Sequence, residues 1–466
     1  MPDINSNLND QVWGLKINKC EIMGIEFKNA VSQLDYYEDI FSNFVSGSLM
    51  LSASSAFQDE LKWSGNEFIN LELDKPLRPE AESIQPLKLK LRIFDIKARK
   101  LGNDGNENYY ITFCSPPLSL SEQTKISKSY KRKRIDEIIK NIANEYLNID
   151  VNIKPTLGER DIVIPKLKPF EAINWLCTQA IAADLPNSLE SGAEYLFWAN
   201  RDGYYCWSVM HIYNSLPAMI YRNPLSALIS GENVGGEGRG STRGYWYGTK
   251  NFEQNGEKWD PYEHIVSFEV MNTYDTVESS QRGMYGNSLL SIDYIRRKHT
   301  IETFNYNKYW NYLNGNITKF KDVTYNNIKP FDGPAEQEID KSIESAIKIY
   351  SSTTTQKDSE YLQLVGIDPP SNYPETFVPY RFAQLGLVSH QRLKIAIPGD
   401  PFIAVGYVVK VTFPKSNKQI REIGEKEDKT LSGWYLVAAV RHSLNQENQF
   451  LTYLELVKEA KHKTTM

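Results

Sequence analysis

The chain has 466 residues, a formal net charge of −5 and 24% charged residues. This weakly acidic balance disfavours a chain-wide affinity for nucleic acid, and the length predicts about three domains, each able to bury its own core. Met1 to Ser6 lack a leader pattern and no run reaches the roughly 18 apolar residues of a membrane helix, so we expect neither a signal peptide nor a membrane span.

Period-two alternation predicts strands in the first part of the chain, residues 14–115. Residues 87–93 place four apolar side chains on one face and three cations on the other. Residues 69–73 also alternate, and a turn at Asp104-Gly105 predicts that 87–97 and 109–113 pair as an antiparallel hairpin. We expect this sheet to end at Pro116-Pro117.

The pattern then changes to a helical period. Apolar residues at three- and four-residue steps predict one helix over 135–147 and a second from Pro169 to about Ile181. Two further strands, 195–199 and 204–209, flank a turn with Asp202-Gly203. Together they predict a small α/β domain inserted after the first strands.

Glycines interleaved with aromatic residues follow, and we interpret residues 231–261 as a long functional loop or interface arm. The Gly-x-Gly run at 236–240 is a candidate nucleotide-binding loop, but it lacks the third glycine of a dinucleotide-binding loop and follows no convincing strand. A flexible loop is therefore favoured over a nucleotide site.

A second group of strands is predicted at residues 266–270 and 288–293, and again at 393–397, 407–413, 434–440 and 450–457. Short strands separated by turns favour a closed or nearly closed barrel, because closure removes exposed edges. Between the predicted strand at 288–293 and the one at 393–397 lie a polar connector at 351–356 and a predicted helix with one apolar stripe. The stripe contains Ile339, Ile343, Ala346, Ile347 and Tyr350.

No motif predicts a catalytic, cofactor-binding or metal-ligating residue. The chain has no P-loop, no nucleophile elbow and no histidine pair at metal spacing, although the sequence leaves open the paired carboxylates of a glycosidase. Four cysteines are far apart, so we expect buried free thiols and no disulfide scaffold or zinc site. They are Cys20, Cys114, Cys177 and Cys206.

Six cations precede the first predicted helix, at Lys125, Lys128 and residues 131–134. Cations oppose the helix dipole at this end, so the run is either an extended, solvated link or is neutralised by an acidic partner. Binding to nucleic acid is less favoured, because only Tyr130 interleaves with the cations.

Several segments, in order, resemble the baseplate hub proteins of contractile-tailed bacteriophages. In the first half these are residues 40–51 (IFSNFVSGSLML), 63–67 (WSGNE), 109–114 (YYITFC) and 135–139 (IDEII). In the second half they are 272–275 (NTYD), 283–288 (GMYGNS) and the strands from 393 to 457.

The resemblance implies an α+β, mainly β, multidomain chain with two similar β-barrel domains of the tube type and inserted α/β domains. The expected divisions are a first tube-type domain at 1–118, an inserted α/β domain at 119–230, the arm at 231–261, a second tube-type domain at 262–300 plus 376–460, and an insertion at 301–375. The arm and the insertion depart from the family pattern.

The resemblance further implies a homotrimer whose six barrels form a pseudo-six-fold ring. Such a ring joins a hexameric tail tube to a trimeric central spike and passes genomic DNA through its lumen without specific binding. The expected partners also include other baseplate proteins, with a tape measure protein as a further candidate. The expected location is the virion tail, after assembly in the host cytoplasm.

Three other classes stay open. They are a cell-wall-degrading enzyme, a carbohydrate- or receptor-binding tail protein, and a spike-type protein of a contractile secretion system. The 12% aromatic content suits a carbohydrate binder, but the sequence shows no repeats or fibre composition. A structural protein that is not an enzyme is the favoured interpretation.

Overall fold

The computed structural model describes residues 14–54, 63–74, 87–101, 106–184, 192–214, 244–246, 264–272, 276–293, 297–305, 347–351, 374–388, 391–413, 428 and 431–458. These residues are mainly β, and most of their strand pairs are antiparallel. Thirteen strands form one continuous sheet, and eight more form three small sheets. No helix in these ranges is long and apolar enough to span a membrane.

The first block of strands contains the predicted alternating segments. Leu87, Leu89 and Leu91 are buried, while Lys88 and Lys90 are exposed, because successive side chains of a strand point to opposite faces. The block comprises β1 (Lys16–Ile22), β2 (Ile25–Glu26), β3 (Val31–Asp39), β4 (Ser46–Ser54), β5 (Phe68–Asp74), β6 (Leu87–Leu101) and β7 (Asn106–Cys114). The expected antiparallel hairpin is confirmed by the pairing of β6 with β7.

The inserted α/β unit follows the first block. Its main helix buries the isoleucine stripe that the sequence indicated, Ile135, Ile138, Ile139 and Ile142. The unit comprises α1 (Pro117–Gln123), β8 (Ser129–Arg134), α2 (Ile135–Ile142) with a π-helical turn (Ala143–Leu147), β9 (Val151–Ile153), β10 (Glu159–Val163), α3 (Pro169–Cys177), β11 (Tyr195–Asn200), β12 (Gly203–Ser208) and α4 (Val209–Asn214).

The remaining elements complete the large sheet and add one small sheet. They are β13 (Gly244–Trp246), β14 (Ser267–Asn272), α5 (Thr276–Gln281), β15 (Gly286–Asp293), β16 (Lys298–Asn305), β17 (Ile347–Ser351), α6 (Pro374–Val388), β18 (Gln391–Pro398), β19 (Val408–Thr412), β20 (Gly433–Leu444) and β21 (Phe450–Lys458). We call β14 and β18 to β21 the second block.

The two blocks repeat one strand order. In the first, the order across the sheet is β3-β4-β7-β6-β5, and in the second it is β14-β18-β21-β20-β19. Numbered along the chain, both are first-second-fifth-fourth-third, and every neighbouring pair within them is antiparallel. The strand β13 adds to β19 in parallel and brings part of the predicted arm into the sheet. The rest of the arm lies outside the described residues.

Each block has its own apolar core. One includes Leu49, Ile69 and Phe113, and the other includes Ile395, Val409 and Leu456. A third core fills the inserted unit, and the β11–β12 hairpin contributes side chains to all three. This hairpin therefore lies where the three units meet.

The large sheet runs through both blocks, and its described strands show no closed barrel, so the division into two barrels stays a prediction. Several other expectations need correction. The predicted strand 288–293 exists as β15 but pairs with β16 and β17 in a sheet of its own. The end of the predicted helical stripe, Ile347 and Tyr350, is instead in strand β17, and Ile339, Ile343 and Ala346 lie outside the described residues. Helix α6 was not anticipated, and α3 ends at Cys177, before the predicted Ile181.

Candidate functional site

The cysteines and the histidines do not form a metal site within the described residues. All four cysteines are buried and free, as predicted. Cys177 and Cys206 approach each other in the core of the inserted unit, with 3.6 Å between their sulfur atoms. Burial raises the pKa of Cys20 to about 12 and that of Cys114 to about 11, so these thiols are poor nucleophiles at neutral pH.

One serine, histidine and aspartate meet in a way that the sequence did not reveal. The Nδ1 atom of His211 lies 2.9 Å from the Oγ atom of Ser208, and its Nε2 atom lies 2.6 Å from Asp184. Ser208 is 0% exposed, however, and its hydroxyl oxygen also accepts a hydrogen bond from the His211 backbone N–H at the start of α4. The arrangement therefore caps a helix and gives no substrate access to the serine.

The basic run lies partly in a small sheet, and Lys125, Lys131 and Arg132 are exposed to solvent. Strand β8 pairs with β10, and the flanking cations have acidic neighbours within the chain. The Nζ atom of Lys128 lies 2.6 Å from Glu145, and a guanidinium nitrogen of Arg134 lies 2.9 Å from Asp136. Acidic side chains of the chain itself thus neutralise part of this charge, which an acidic partner was one of two predicted ways to neutralise.

The contact between the two blocks is a strand pair, which we call the inner joint. Strand β3 pairs antiparallel with the far half of β20, from Leu34 opposite Leu444 to Asp39 opposite Ala439. The backbone pairing continues one residue further, where the N–H of Ile40 donates to the Ala438 carbonyl at 2.8 Å. The joint therefore has the hydrogen bonding of a sheet interior.

A buried carboxylate, Glu38, lies at the centre of this joint. It accepts hydrogen bonds from the Tyr36 hydroxyl at 2.9 Å, the Arg201 N–H at 2.6 Å and the Val405 N–H at 2.9 Å. Arg201 belongs to the β11–β12 turn and Val405 to the loop before β19. One side chain of the first block thus satisfies backbone donors of both other units.

The carboxyl group of Glu38 is buried, and its burial disfavours the charged form. Burial raises its pKa to about 7, although the hydrogen bonds from Val405, Tyr36 and Arg201 act in the opposite direction. Close by, His442 stacks on Tyr36, and burial lowers the pKa of this histidine to about 3. The joint therefore holds a neutral imidazole beside a carboxyl group that titrates near neutral pH.

Further polar contacts fix the inserted unit to the second block. A guanidinium nitrogen of Arg201 donates to the Pro401 carbonyl at 2.6 Å, and the amide of Asn200 donates to the Val405 carbonyl at 3.0 Å. The Tyr407 hydroxyl donates to Asp202 at 2.6 Å. These contacts hold the three units in one arrangement around the inner joint.

Helix α6 packs on the inserted unit through Phe377 and Val378, which share an apolar cluster with Ile181 and Ala193, and through Arg381. The guanidinium of Arg381 donates to the carbonyl oxygens of Cys177, Ala193 and Tyr195. Burial lowers the pKa of Arg381, while the nearby Glu194 opposes that change. Burial in turn raises the pKa of Glu194 to about 7.

The contacts of Glu38, Arg201 and Arg381 all join one unit of the chain to another. Glu38, Arg201 and Arg381 were not singled out from the sequence. Glu38 could have been found, because it continues the period-two row of Leu34 and Tyr36 and so belongs to the buried face.

Comparison with known proteins gives a likeness of fold. No protein-family model and no curated protein matches the chain. Among solved structures, the chain is similar to a tail protein from Neisseria meningitidis MC58, with a TM-score of 0.51, 12% identity, and coverage of 96% of this chain and 97% of that one. The expected resemblance to tail proteins is thereby confirmed at the level of fold.

Two further structures are similar at lower scores. The 43 kDa tail protein of prophage MuSo2 from Shewanella oneidensis has a TM-score of 0.47 and 9% identity, covering 95% of this chain and 98% of that one. A chain of the half-lidded Francisella PdpA-VgrG complex has a TM-score of 0.45 and 10% identity, covering 100% of this chain and 62% of that one.

Proposed function

We propose that this protein is a structural component of a viral tail, the central hub of a baseplate. Three copies form a ring in which each contributes two similar tube-type domains, so that six domains surround one channel. Such a ring joins a hexameric tail tube on one side to a trimeric central spike on the other. The domain divisions expected from the sequence remain part of this proposal.

The observation that carries the proposal is the repeated strand order of the two blocks. Five strands with the same order and the same antiparallel pairing occur twice in one chain. Two similar units per chain allow three chains to present six similar surfaces, which matches a hexameric partner while keeping three-fold symmetry for a trimeric one. The fold shared with a tail protein supports the same conclusion.

The inner joint supports a structural role of this kind, because it connects the two blocks firmly. It combines sheet hydrogen bonds with the buried Glu38 network, and both join the two blocks. In the proposed ring, a lumen lined by acidic and polar groups repels DNA phosphates, and the genome passes without binding. The net charge of −5 agrees with such a lumen.

Assembly with the spike tests the function. We expect the purified chain, co-expressed with the spike protein of the same particle, to co-purify with it and to give three copies of each by light scattering. The chain alone is measured in parallel as the control. Failure to bind the spike, or clearing of peptidoglycan by the purified chain in zymography, would contradict the proposed hub.

A further inference from the structure

The inner joint shows how one strand can pair with two neighbours on the same side. The near half of β20, from Gly433 to Leu436, pairs with β19 of its own block. A register shift between Val437 and Ala439 follows. Beyond this bulge, the far half of β20 pairs with β3 of the other block.

Strand β6 of the first block has the same construction up to this bulge. Its near half, from Leu87 to Arg92, pairs with β5, and a register shift between Ile93 and Asp95 follows. The last hydrogen bond before the bulge is equivalent in both blocks. In the first block the Ile93 N–H donates to the Glu67 carbonyl at 2.9 Å, and in the second block the Val437 N–H donates to the Tyr407 carbonyl at 2.8 Å. Past the bulge, no described strand pairs with β6 on the β5 side.

Strand β14 is the second block's counterpart of β3. Residues that lie opposite one another on neighbouring strands form a row across the sheet, and rows at the same place in the two blocks define matching residues. In the first block one such row contains Leu34, Leu49, Ile111 and Ile96. The matching row of the second block contains Phe268, Ile395, Leu454 and Val440. The next row matches Tyr36 with Val270 in the same way. Among the described strands, β14 ends the large sheet.

The matching residues differ in exposure. Leu34 and Tyr36 are each 1% exposed in the inner joint, whereas Phe268 is 37% and Val270 is 38% exposed. On the facing strand, Phe94 is 56% exposed, whereas Ala438 at the corresponding bulge is 5% exposed. The surfaces that are buried in the inner joint thus have apolar, solvent-exposed counterparts on strand β14 and at the bulge of strand β6.

We propose that β14 of one copy pairs antiparallel with residues 95–101 of β6 in the next copy, repeating the inner joint between chains. The occupant of each edge is therefore a second copy of this chain. This outer joint rests on the proposed ring, since it supplies the contact by which the copies close. It uses a different edge on each partner, so it continues from copy to copy.

Charge agrees with this register. In the inner joint Asp35 lies opposite Ser443. Glu269 on β14 matches Asp35, and Lys100 on β6 matches Ser443. The outer joint therefore places Glu269 of one copy opposite Lys100 of the next, in a basic stretch that also contains Lys97 and Arg99. Opposite charges directly across paired strands stabilise the pair, and like charges destabilise it.

Engineered cysteines test the register directly. Residues opposite each other in an antiparallel pair have Cβ atoms about 4.5–5.5 Å apart, close to what a disulfide needs. We expect the double variant Glu269→Cys with Lys100→Cys to form covalent trimers under mild oxidation, seen on a non-reducing gel. The matched control pairs Glu269→Cys with Lys88→Cys, which is on the half of β6 that β5 already occupies, and should stay unlinked.

The outcomes separate the outer joint from the ring. Trimers by light scattering without a 269–100 cross-link would overturn the outer joint and leave the ring standing. A cross-linked dimer or open ladder without closed trimers would support the joint and contradict the three-copy ring. A monomer without cross-link at any attainable concentration would overturn both.

Charge reversal provides a second, non-covalent test. Glu269→Lys and Lys100→Glu should each raise the concentration needed for assembly by about tenfold, because each places like charges across the joint. The two reversals combined in one chain should restore assembly, since the pair is again opposite in charge. An equal loss with Glu447→Lys, which is in the exposed β20–β21 turn, or no rescue in the double variant, would refute the register.

Discussion

The ionisation of Glu38 should make the inner joint sensitive to pH. Burial raises its pKa to about 7 from an ordinary value of 4.5, so between these values the folded chain keeps a proton that the unfolded chain releases. The resulting stabilisation is fully present below about pH 4.5 and is lost as the pH rises to about 7. The gap between the two pKa values corresponds to about 3 kcal/mol.

The side chain is 2% exposed, so solvent screening reduces this magnitude little. Glu194 has a pKa raised to about 7 as well, and it contributes a loss over the same range. His442 acts in the opposite direction, because its pKa of about 3 makes the folded state gain stability as the pH rises from about 3 to 6.5. A single pH profile of the protein therefore mixes several groups.

The variant Glu38→Gln isolates the contribution of one carboxyl group. We expect the free energy of unfolding of the wild type minus that of the variant to fall by about 3 kcal/mol between about pH 4.5 and about pH 8. Urea unfolding followed by tryptophan fluorescence gives this difference at each pH, and the contributions of Glu194 and His442 cancel in it.

The matched control is Glu447→Gln, which removes an exposed carboxyl from a turn. Its difference from the wild type should not change with pH by more than about 0.5 kcal/mol. A Glu38→Gln difference as flat as that of the control would refute the assignment of a buried, titrating carboxyl to the joint.

Three other substitutions or treatments have defined outcomes. Gly47→Ala should lower the free energy of unfolding by about 1–3 kcal/mol in urea, because the added Cβ would lie 2.3 Å from the Asp35 carbonyl and 2.5 Å from the Phe113 ring. Arg381→Lys should speed hydrogen exchange in α6, because the compact ammonium of lysine lacks the planar fork with which the guanidinium reaches the carbonyls of Cys177, Ala193 and Tyr195. The exposed Arg282→Lys should not. The four buried thiols should react with a thiol reagent only after unfolding, as measured by absorbance with and without denaturant.

Much of the fold was accessible from the sequence because most strands have one buried face. The alternation at 69–73, 87–93, 266–270 and 450–457 corresponds to β5, β6, β14 and β21. Local patterns identify such strands but not their partners. This is why β15 was expected in the second block, whereas it pairs with β16 and β17.

The errors also have physical reasons. Helix α6 contains Pro379, which argues against a helix in a sequence pattern, and its apolar residues form no single stripe. Ile347 and Tyr350 fit a helical spacing, yet residues 347–351 pair in parallel with β15. In both cases contacts with distant residues outweigh the local preference.

The contacts of the inner joint could not be predicted from the sequence, for a different reason. The acidic cluster at 35–39 is typical of an exposed strand end, and nothing local shows that Glu38 meets Val405, which is 367 residues away in the chain. Asp35, on the opposite face of the same strand, is also buried, and it pairs with Arg441 at 2.9 Å. Alternation separates these two acids, but only the tertiary structure shows what each one binds.

The charges at the two open edges also explain why copies should form a ring and not a two-fold dimer. Pairing β14 with β14 of another copy would bring two Glu269 side chains together, and pairing β6 with β6 would oppose two basic stretches at Lys97 to Lys100. Each of these self-pairings is repulsive, whereas β14 against β6 is attractive. Because the attractive pairing joins unlike edges, every added copy leaves one edge of each kind open until the last copy meets the first. Closure then covers the apolar faces of Phe94, Phe268 and Val270 and removes the strand edges that would otherwise promote aggregation.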